Sequence, residues 1–237
     1  MKFKLFLIYI RYLFSLLLFS LVSQLLTVLT LFIFLLNNKS IQGFRSLVLM
    51  WFARFVNTIN FNLHIKKYNE TNEKFKIPSV IISNHVSLVD ISIILSLAPK
   101  LIIVTNANLM HSRFYWLLKK YAPIIELADN VENSLQHLKH MQQQGYSILV
   151  FPESKRSPHK IQRFHKSAFM LAEKLNMDIL PLLIKAEGAF VNKHSFYRYA
   201  GKIQINILHR ITPDNKDFGD NYSERAKNIC EYYRSLR

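Results

Sequence analysis

The sequence predicts an α/β fold: a single domain with a mixed, mostly buried sheet flanked by helices over residues 61–237, preceded by an N-terminal membrane helix or hairpin within a membrane-anchoring helical segment over residues 1–60. Three observations predict it. After residue 60, short runs rich in Ile and Val alternate with longer stretches of helical period. Before it, residues 12–36 form 25 consecutive positions without a charge. The whole chain, at 237 residues, is long enough for one well-buried domain plus an appendage and too short for two large domains.

The stretch from Tyr12 to Leu36 carries Leu, Phe, Val and Ile with a few Ser, Thr and Gln. As a helix it would be roughly 37 Å long at about 1.5 Å per residue, sufficient for a hydrocarbon core of about 30 Å with some tilt. It is longer than an ordinary signal core, and the Leu35-Leu36-Asn37-Asn38-Lys39 that ends it holds no small-residue cleavage pattern. Lys2, Lys4 and Arg11 precede it and Lys39, Arg45 and Arg54 follow, so charge bias sets no orientation. A shallow helical hairpin in one leaflet is the second reading. In residues 47–56, Trp51 and Phe52 beside Arg45 and Arg54 suit a headgroup layer, and a helix packed on the domain accounts for them equally well.

Strands are expected at residues 61–65, 79–83, 101–105, 123–127, 146–151, 179–184 and 202–208, with helices at 91–97, 114–120, 131–144, 166–175 and 222–236. The clearest helix is 131–144. Val131, Leu135, Leu138 and Met141 share a face, Asp129 with Glu132 can form a capping box, and Gly145 follows the end. Such alternation of strand and helix points to a largely buried sheet.

The chain has 31 Lys and Arg against 15 Asp and Glu, a formal +16, with 19% charged and 50% hydrophobic residues. A basic chain this apolar suits an anionic membrane surface better than nucleic acid. The single cysteine, Cys230, excludes an intrachain disulfide framework, a Cys-x-x-Cys zinc site and a redox pair.

Ser83-Asn84-His85 ends one apolar run, and Asp90 opens the next. Positions five apart do not share a helix face, being separated by about 140°. His85 and Asp90 can nevertheless meet if the histidine precedes a helix and the aspartate lies in its first turn, with Ser87 as N-cap. The helix N-terminus favours the ionised carboxylate. A carboxylate on one ring nitrogen would fix the tautomer and leave the other nitrogen as base for a hydroxyl proton. The plain alternative for Ser-x-x-Asp is an ordinary capping box.

Phe151-Pro152-Glu153-Ser154-Lys155-Arg156-Ser157 directly follows an expected strand, placing a carboxylate and two cations at a strand's C-terminal edge, where open α/β sheets bind ligands. His159, Lys160, Arg163, His165 and Lys166 extend the cationic stretch, and Lys166 opens the next expected helix. Cations with helix-terminal N–H groups are what a phosphate requires, although an ordinary solvated basic loop has the same composition.

Asn84-His85-(four residues)-Asp90, Phe151-Pro-Glu-x-x-Arg-Ser157, Phe164-His-Lys-Ser-Ala168 and Ile179-Leu-Pro-Leu-Leu-Ile184, in that order behind a membrane segment, resemble the glycerolipid acyltransferases of the lysophosphatidic acid acyltransferase family. The resemblance covers roughly residues 50 to 210. It implies that His85 is the general base and Asp90 its orienting partner, acting on the free hydroxyl of a lysolipid that attacks an acyl thioester. It implies an acceptor-binding loop at Glu153 and Arg156, with the arginine on the acceptor's phosphate, and a structural Pro181. Ser154, Lys155 and Lys166 complete the expected substrate-binding set. No metal or other cofactor is implied; acyl-ACP or acyl-CoA is the co-substrate, and the partners are membrane lipid, a lysolipid acceptor and the acyl carrier, with no nucleic acid. The expected location is the inner or cytoplasmic membrane with the active site facing the cytosol.

Two departures bear on the acceptor. The family's third motif continues Gly-Thr where this chain has Ser154-Lys155, and its second motif closes with an arginine where Ala122-Pro-Ile-Ile-Glu-Leu-Ala128 has none. Lys155 is expected to replace that charge. An amino-acid-containing lysolipid acceptor is the other enzymatic reading, and a non-catalytic basic lipid-binding protein is the rival from a different class.

Overall fold

The computed structural model describes residues 41–59, 63–87, 89–105, 123–126, 131–153, 155–188 and 201–237, together with helical positions between 6 and 28. Contacts divide the chain into two compact units. The smaller comprises Met1–Lys66, Leu88–Pro99 and Ala186–Gln204, and the larger Lys67–Ser87, Lys100–Lys185 and Ile205–Arg237.

In the smaller unit, the helical positions near the N-terminus expose Phe6, Tyr9, Phe14, Leu17, Leu21 and Leu25. The membrane segment expected over 12–36 lies in large part outside the described residues. Among the described residues no helix is long and apolar enough to cross a membrane.

Helix α1, Ile41–Ile59, and helix α2, Val89–Leu95, pack together in this unit. Arg54 Nε donates to the Ser96 carbonyl at 2.9 Å and Asn57 Nδ2 to the Ser92 carbonyl at 3.3 Å. The Ser92 hydroxyl returns a 2.6 Å bond to Asn57 Oδ1. These side chains add donors to the Ser96 carbonyl, just past the end of α2, and to the Ser92 carbonyl, which also accepts from the Ser96 N–H at 3.1 Å. Met50 and Ala53 on α1 are buried, while Trp51 is 61% exposed with the Arg54 guanidinium 4.9 Å from its ring centre. Residues 47–56 are thus packed on one side and offer an aromatic-cation pair on the other.

The sheet has seven strands: β1 Leu63–Tyr68, β2 Ser79–Ser83, β3 Leu101–Thr105, β4 Ile124–Glu126, β5 Ser147–Val150, β6 Asp178–Gly188 and β7 Gly201–Ile207. Their order is β1-β7-β6-β2-β5-β3-β4. The run β6-β2-β5-β3-β4 is parallel, whereas the chain after β7 returns antiparallel to β6 through an Ile179–Ile211 bridge. The sheet is therefore mixed, as expected from sequence. All seven expected strands are present, with ends shifted by at most a few residues.

Every residue of β2 and β5 is buried, as two-sided cover of a parallel sheet requires. On one face, Val80, Ile82, Ile148, Val150 and Ile179 pack with α4, Ser167–Leu175, and α5, Tyr222–Ser235. Helix α3, Val131–Gln143, adds Leu138 and Met141. Burying a side chain of this size contributes about 1.5–3 kcal/mol. Helix α4 ends in a left-handed cap at Asn176, and α5 begins with the Asn221 side chain accepting from the Ser223 and Glu224 N–H groups. The helix expected at 114–120, Asp129 and the side chain of Glu132 lie outside what the structure describes.

At the opposite end of the sheet from the loops described below, Arg210 binds Glu73 at 2.6 Å and Asp178 at 3.2 Å and donates to the Ile77 carbonyl. The Arg210 hydrogen bond holds the Glu73 carboxyl below its ordinary value, against the opposing effect of burial. A depressed folded-state value means stability that is present above about pH 4.3 and lost as acidification passes through the lowered one. Arg210→Gln is expected to cost about 2 kcal/mol at neutral pH. In thermal unfolding followed against pH, the difference between variant and wild type should shrink in acid; a difference independent of pH would remove Glu73 from the explanation.

Candidate active site

Parallel neighbours end at the same edge, so the register of β2 with β5 and β6 decides what meets there. Ile82 lies beside Val150 on one flank and Pro181 on the other, and Ser83 beside Leu182. The residues that follow β2 and β5, Asn84-His85 and Phe151-Pro152-Glu153, consequently leave the sheet side by side although about 68 positions separate them in sequence.

Asn84 is fully buried, and its amide takes over where the strand's main chain stops. Oδ1 accepts from the Ile184 N–H at 2.7 Å, and Nδ2 donates to the Ile184 carbonyl at 2.8 Å. A side chain with one donor and one acceptor thereby continues the β2–β6 ladder while the backbone turns away. Tyr233 of α5 supports the same edge, its buried hydroxyl lying 3.1 Å from the Ile82 carbonyl and 3.3 Å from that of Leu182.

The turn away presents His85, whose main chain is held at both polar groups. Its N–H donates to Glu153 Oε1 at 3.0 Å, and its carbonyl accepts from the Ser157 N–H at 2.7 Å. The ring stacks on Phe151, with centroids 4.3 Å apart and planes 28° from parallel. The imidazole is half-buried, so it is fixed in place and still reachable.

Glu153 is only 4% exposed. Its second oxygen accepts from the Gln162 N–H at 2.7 Å. Burial pushes this carboxyl above its ordinary value, while the N–H donors of Gln162 and His85 pull the other way. Both oxygens are engaged with backbone, so Glu153 ties three segments of chain together: the His85 turn, its own loop and the return through Gln162. Ser157 reinforces the loop, donating from Oγ to the Lys160 carbonyl and accepting from Gln162 Nε2.

With its carboxylate turned inward, the loop offers cations outward: Lys155, Arg156, Lys160 and Arg163 are exposed. Lys166, also exposed, stands at the N-cap of α4 without a side-chain cap, one residue before the helix expected to start with it. Ser154 lies outside the described residues. Asp90 is fully buried in the first turn of α2, within the smaller unit. Among the described residues no group of three His, Cys, Asp or Glu side chains could hold a metal ion.

The sequence reading assigned no role to Asn84, to the Phe151 ring or to Gln162. An asparagine immediately before the histidine was the one available signal, since the contacts of Phe151 and Gln162 depend on chain segments far apart in sequence.

Comparison with known proteins bears on this edge directly. The family model described as Acyltransferase matches residues 64–185, a little over half of the chain and the whole span from β1 into β6. A crystal structure of the 1-acyl-sn-glycerophosphate (LPA) acyltransferase PlsC from Thermotoga maritima is similar with a TM-score of 0.69 at 19% identity, over 99% of this chain and 97% of that one. At that identity the likeness is one of fold. The family match spans the His85 turn and the Glu153 loop alike, and by it the chain belongs to the acyltransferase family.

Proposed function

We propose that the chain acylates the free hydroxyl of a monoacyl glycerolipid, converting lysophosphatidate to phosphatidate, with an acyl thioester as donor. The observation that carries this reading is the half-buried His85, locked through its main chain at a sheet edge, next to a loop whose cations are exposed. The imidazole takes the hydroxyl proton as the oxygen attacks the thioester carbonyl. A C–O bond forms, the C–S bond breaks, and the imidazolium returns its proton to the departing thiolate. Asp90, buried at the start of α2, is assigned to orient the ring and stabilise its charged form.

Arg156, with Lys155 and Lys166, is assigned to the acceptor's phosphate, where cations make charge-assisted hydrogen bonds. The reaction needs no cofactor beyond acyl-ACP or acyl-CoA. The exposed apolar side chains between residues 6 and 28 and the charge of +16 support attachment to an anionic membrane surface, and the resemblance assigns the site to the cytosolic side of the inner membrane. The absent arginine at Ala128 favours a second acceptor, an amino-acid-containing lysolipid.

The test is an acceptor series with detergent-solubilised protein and a labelled acyl thioester. Lysophosphatidate is expected to be acylated fastest; no transfer to any lysolipid would overturn the reading, and preference for a phosphate-free acceptor would select the second one. Lys155→Ala is expected to raise KM for lysophosphatidate about tenfold with little change in kcat, as loss of one charge-assisted contact implies. An unaltered KM would show that Lys155 does not replace the missing arginine.

A further inference from the structure

We infer that the C-terminal part of α5, through Cys230 and Arg234, together with Arg237 just beyond the helix, positions the acceptor loop, so that Arg234 and Arg237 act on the reaction through the loop's backbone without touching substrate. This rests on the function proposed above.

Residues 230, 234 and 237 are spaced by four and three, which puts them on one side of a helix and its first residues beyond. Each reaches a different carbonyl of the same short segment. Cys230 Sγ lies 3.3 Å from the Gln162 carbonyl, Arg234 Nε and Nη2 each lie 3.4 Å from that of Ile161, and Arg237 Nη2 donates to that of Pro158. The segment they grip is the one that holds His85. Gln162 donates its N–H to Glu153, which accepts from the His85 N–H, and Ser157, next to Pro158, donates to the His85 carbonyl. From α5 to the backbone of the proposed base is thus a path of a few hydrogen bonds at either end of the loop.

The rest of α5 supplies the rigidity such an element needs. Tyr233 is fully buried and anchors to Ile82 near the end of β2 and to Leu182 within β6, while its ring meets Phe164 edge-on at 5.1 Å. Arg225 fixes the start of the helix to the Pro213, Asn215 and Gly219 carbonyls. The Arg237 charge also acts on the Glu153 carboxylate, favouring its ionised form against burial. A helix tied only to bury its apolar side would not place three polar groups on three carbonyls of one loop.

Arg237→Ala and Arg234→Ala, each alone and combined, should be compared with Arg237→Lys in the full chain. For the double variant we expect KM for lysophosphatidate to rise about tenfold, KM for the acyl thioester to stay within twofold, and Arg237→Lys to recover most of the loss. Amide hydrogen exchange supplies a readout that does not depend on turnover: the N–H groups of Ser157 and Gln162 should exchange at least tenfold faster in the double variant, with β2 and β5 unchanged. Unchanged exchange at Ser157 and Gln162 would overturn the inference whether or not the wild type transfers acyl groups. Equal loss of protection throughout the sheet would overturn it too, by showing a general fold contribution. Wild-type protein that acylates no lysolipid, with the exchange result as expected, would sink the proposed function and leave the positioning role standing.

Discussion

His85→Ala is expected to lower kcat by about 10²- to 10⁴-fold, the range for a positioned general base. The variant should be a clean one. The bonds that hold the turn run from the His85 N–H to Glu153 and from Ser157 to the His85 carbonyl, and neither uses the ring. What disappears is the imidazole, with its stacking on Phe151 and the pairing with Asp90 assigned to it above. Steady-state transfer to lysophosphatidate should therefore collapse while KM for both substrates stays close to wild type. A variant that kept a tenth or more of wild-type kcat would remove His85 as the base, and the non-catalytic lipid-binding reading would gain.

Glu153→Gln should be nearly as damaging, for a different reason. The carboxylate accepts an N–H at each oxygen, from His85 and from Gln162. Glutamine has one acceptor oxygen, and its NH₂ would face a backbone donor. One buried N–H would then be left without a partner, at a cost of about 1–3 kcal/mol. The larger effect should be kinetic. Small displacements of a reacting group cost on the order of 10²-fold in rate, so kcat/KM is expected to fall by about that factor with a lowered unfolding temperature. Catalysis and melting measured on the same preparation check both. A glutamine variant with wild-type kcat/KM would show that the bridge does not set the position of His85.

Much of the fold was legible from sequence because a parallel sheet covered on both faces needs continuous apolar strands. Val80-Ile81-Ile82, Leu101 to Val104, and Ile148-Leu149-Val150 are such runs. Their boundaries followed from polar residues at the ends. The pairing of distant segments was less legible. Glu153 was legible as part of a charged loop, but sequence pattern carries no information about which oxygen meets which N–H, so its two backbone bonds were not. Asn84 was similarly opaque, since its partner Ile184 lies 100 residues away. The helix expected at 222–236 rested on periodicity, which gives no indication of the carbonyls reached by Arg234 and Arg237.

The substitution of an asparagine amide for main-chain pairing at the end of β2 has a consequence for how the protein comes together. The two bonds of Asn84 join positions 100 apart, and those of Glu153 to His85 join positions 68 apart. Closing loops of that length is entropically costly and slow compared with forming a helix or a hairpin. The reactive corner therefore exists only once the central strands have found one another in register, so a partly folded or C-terminally shortened chain has no weakened version of it.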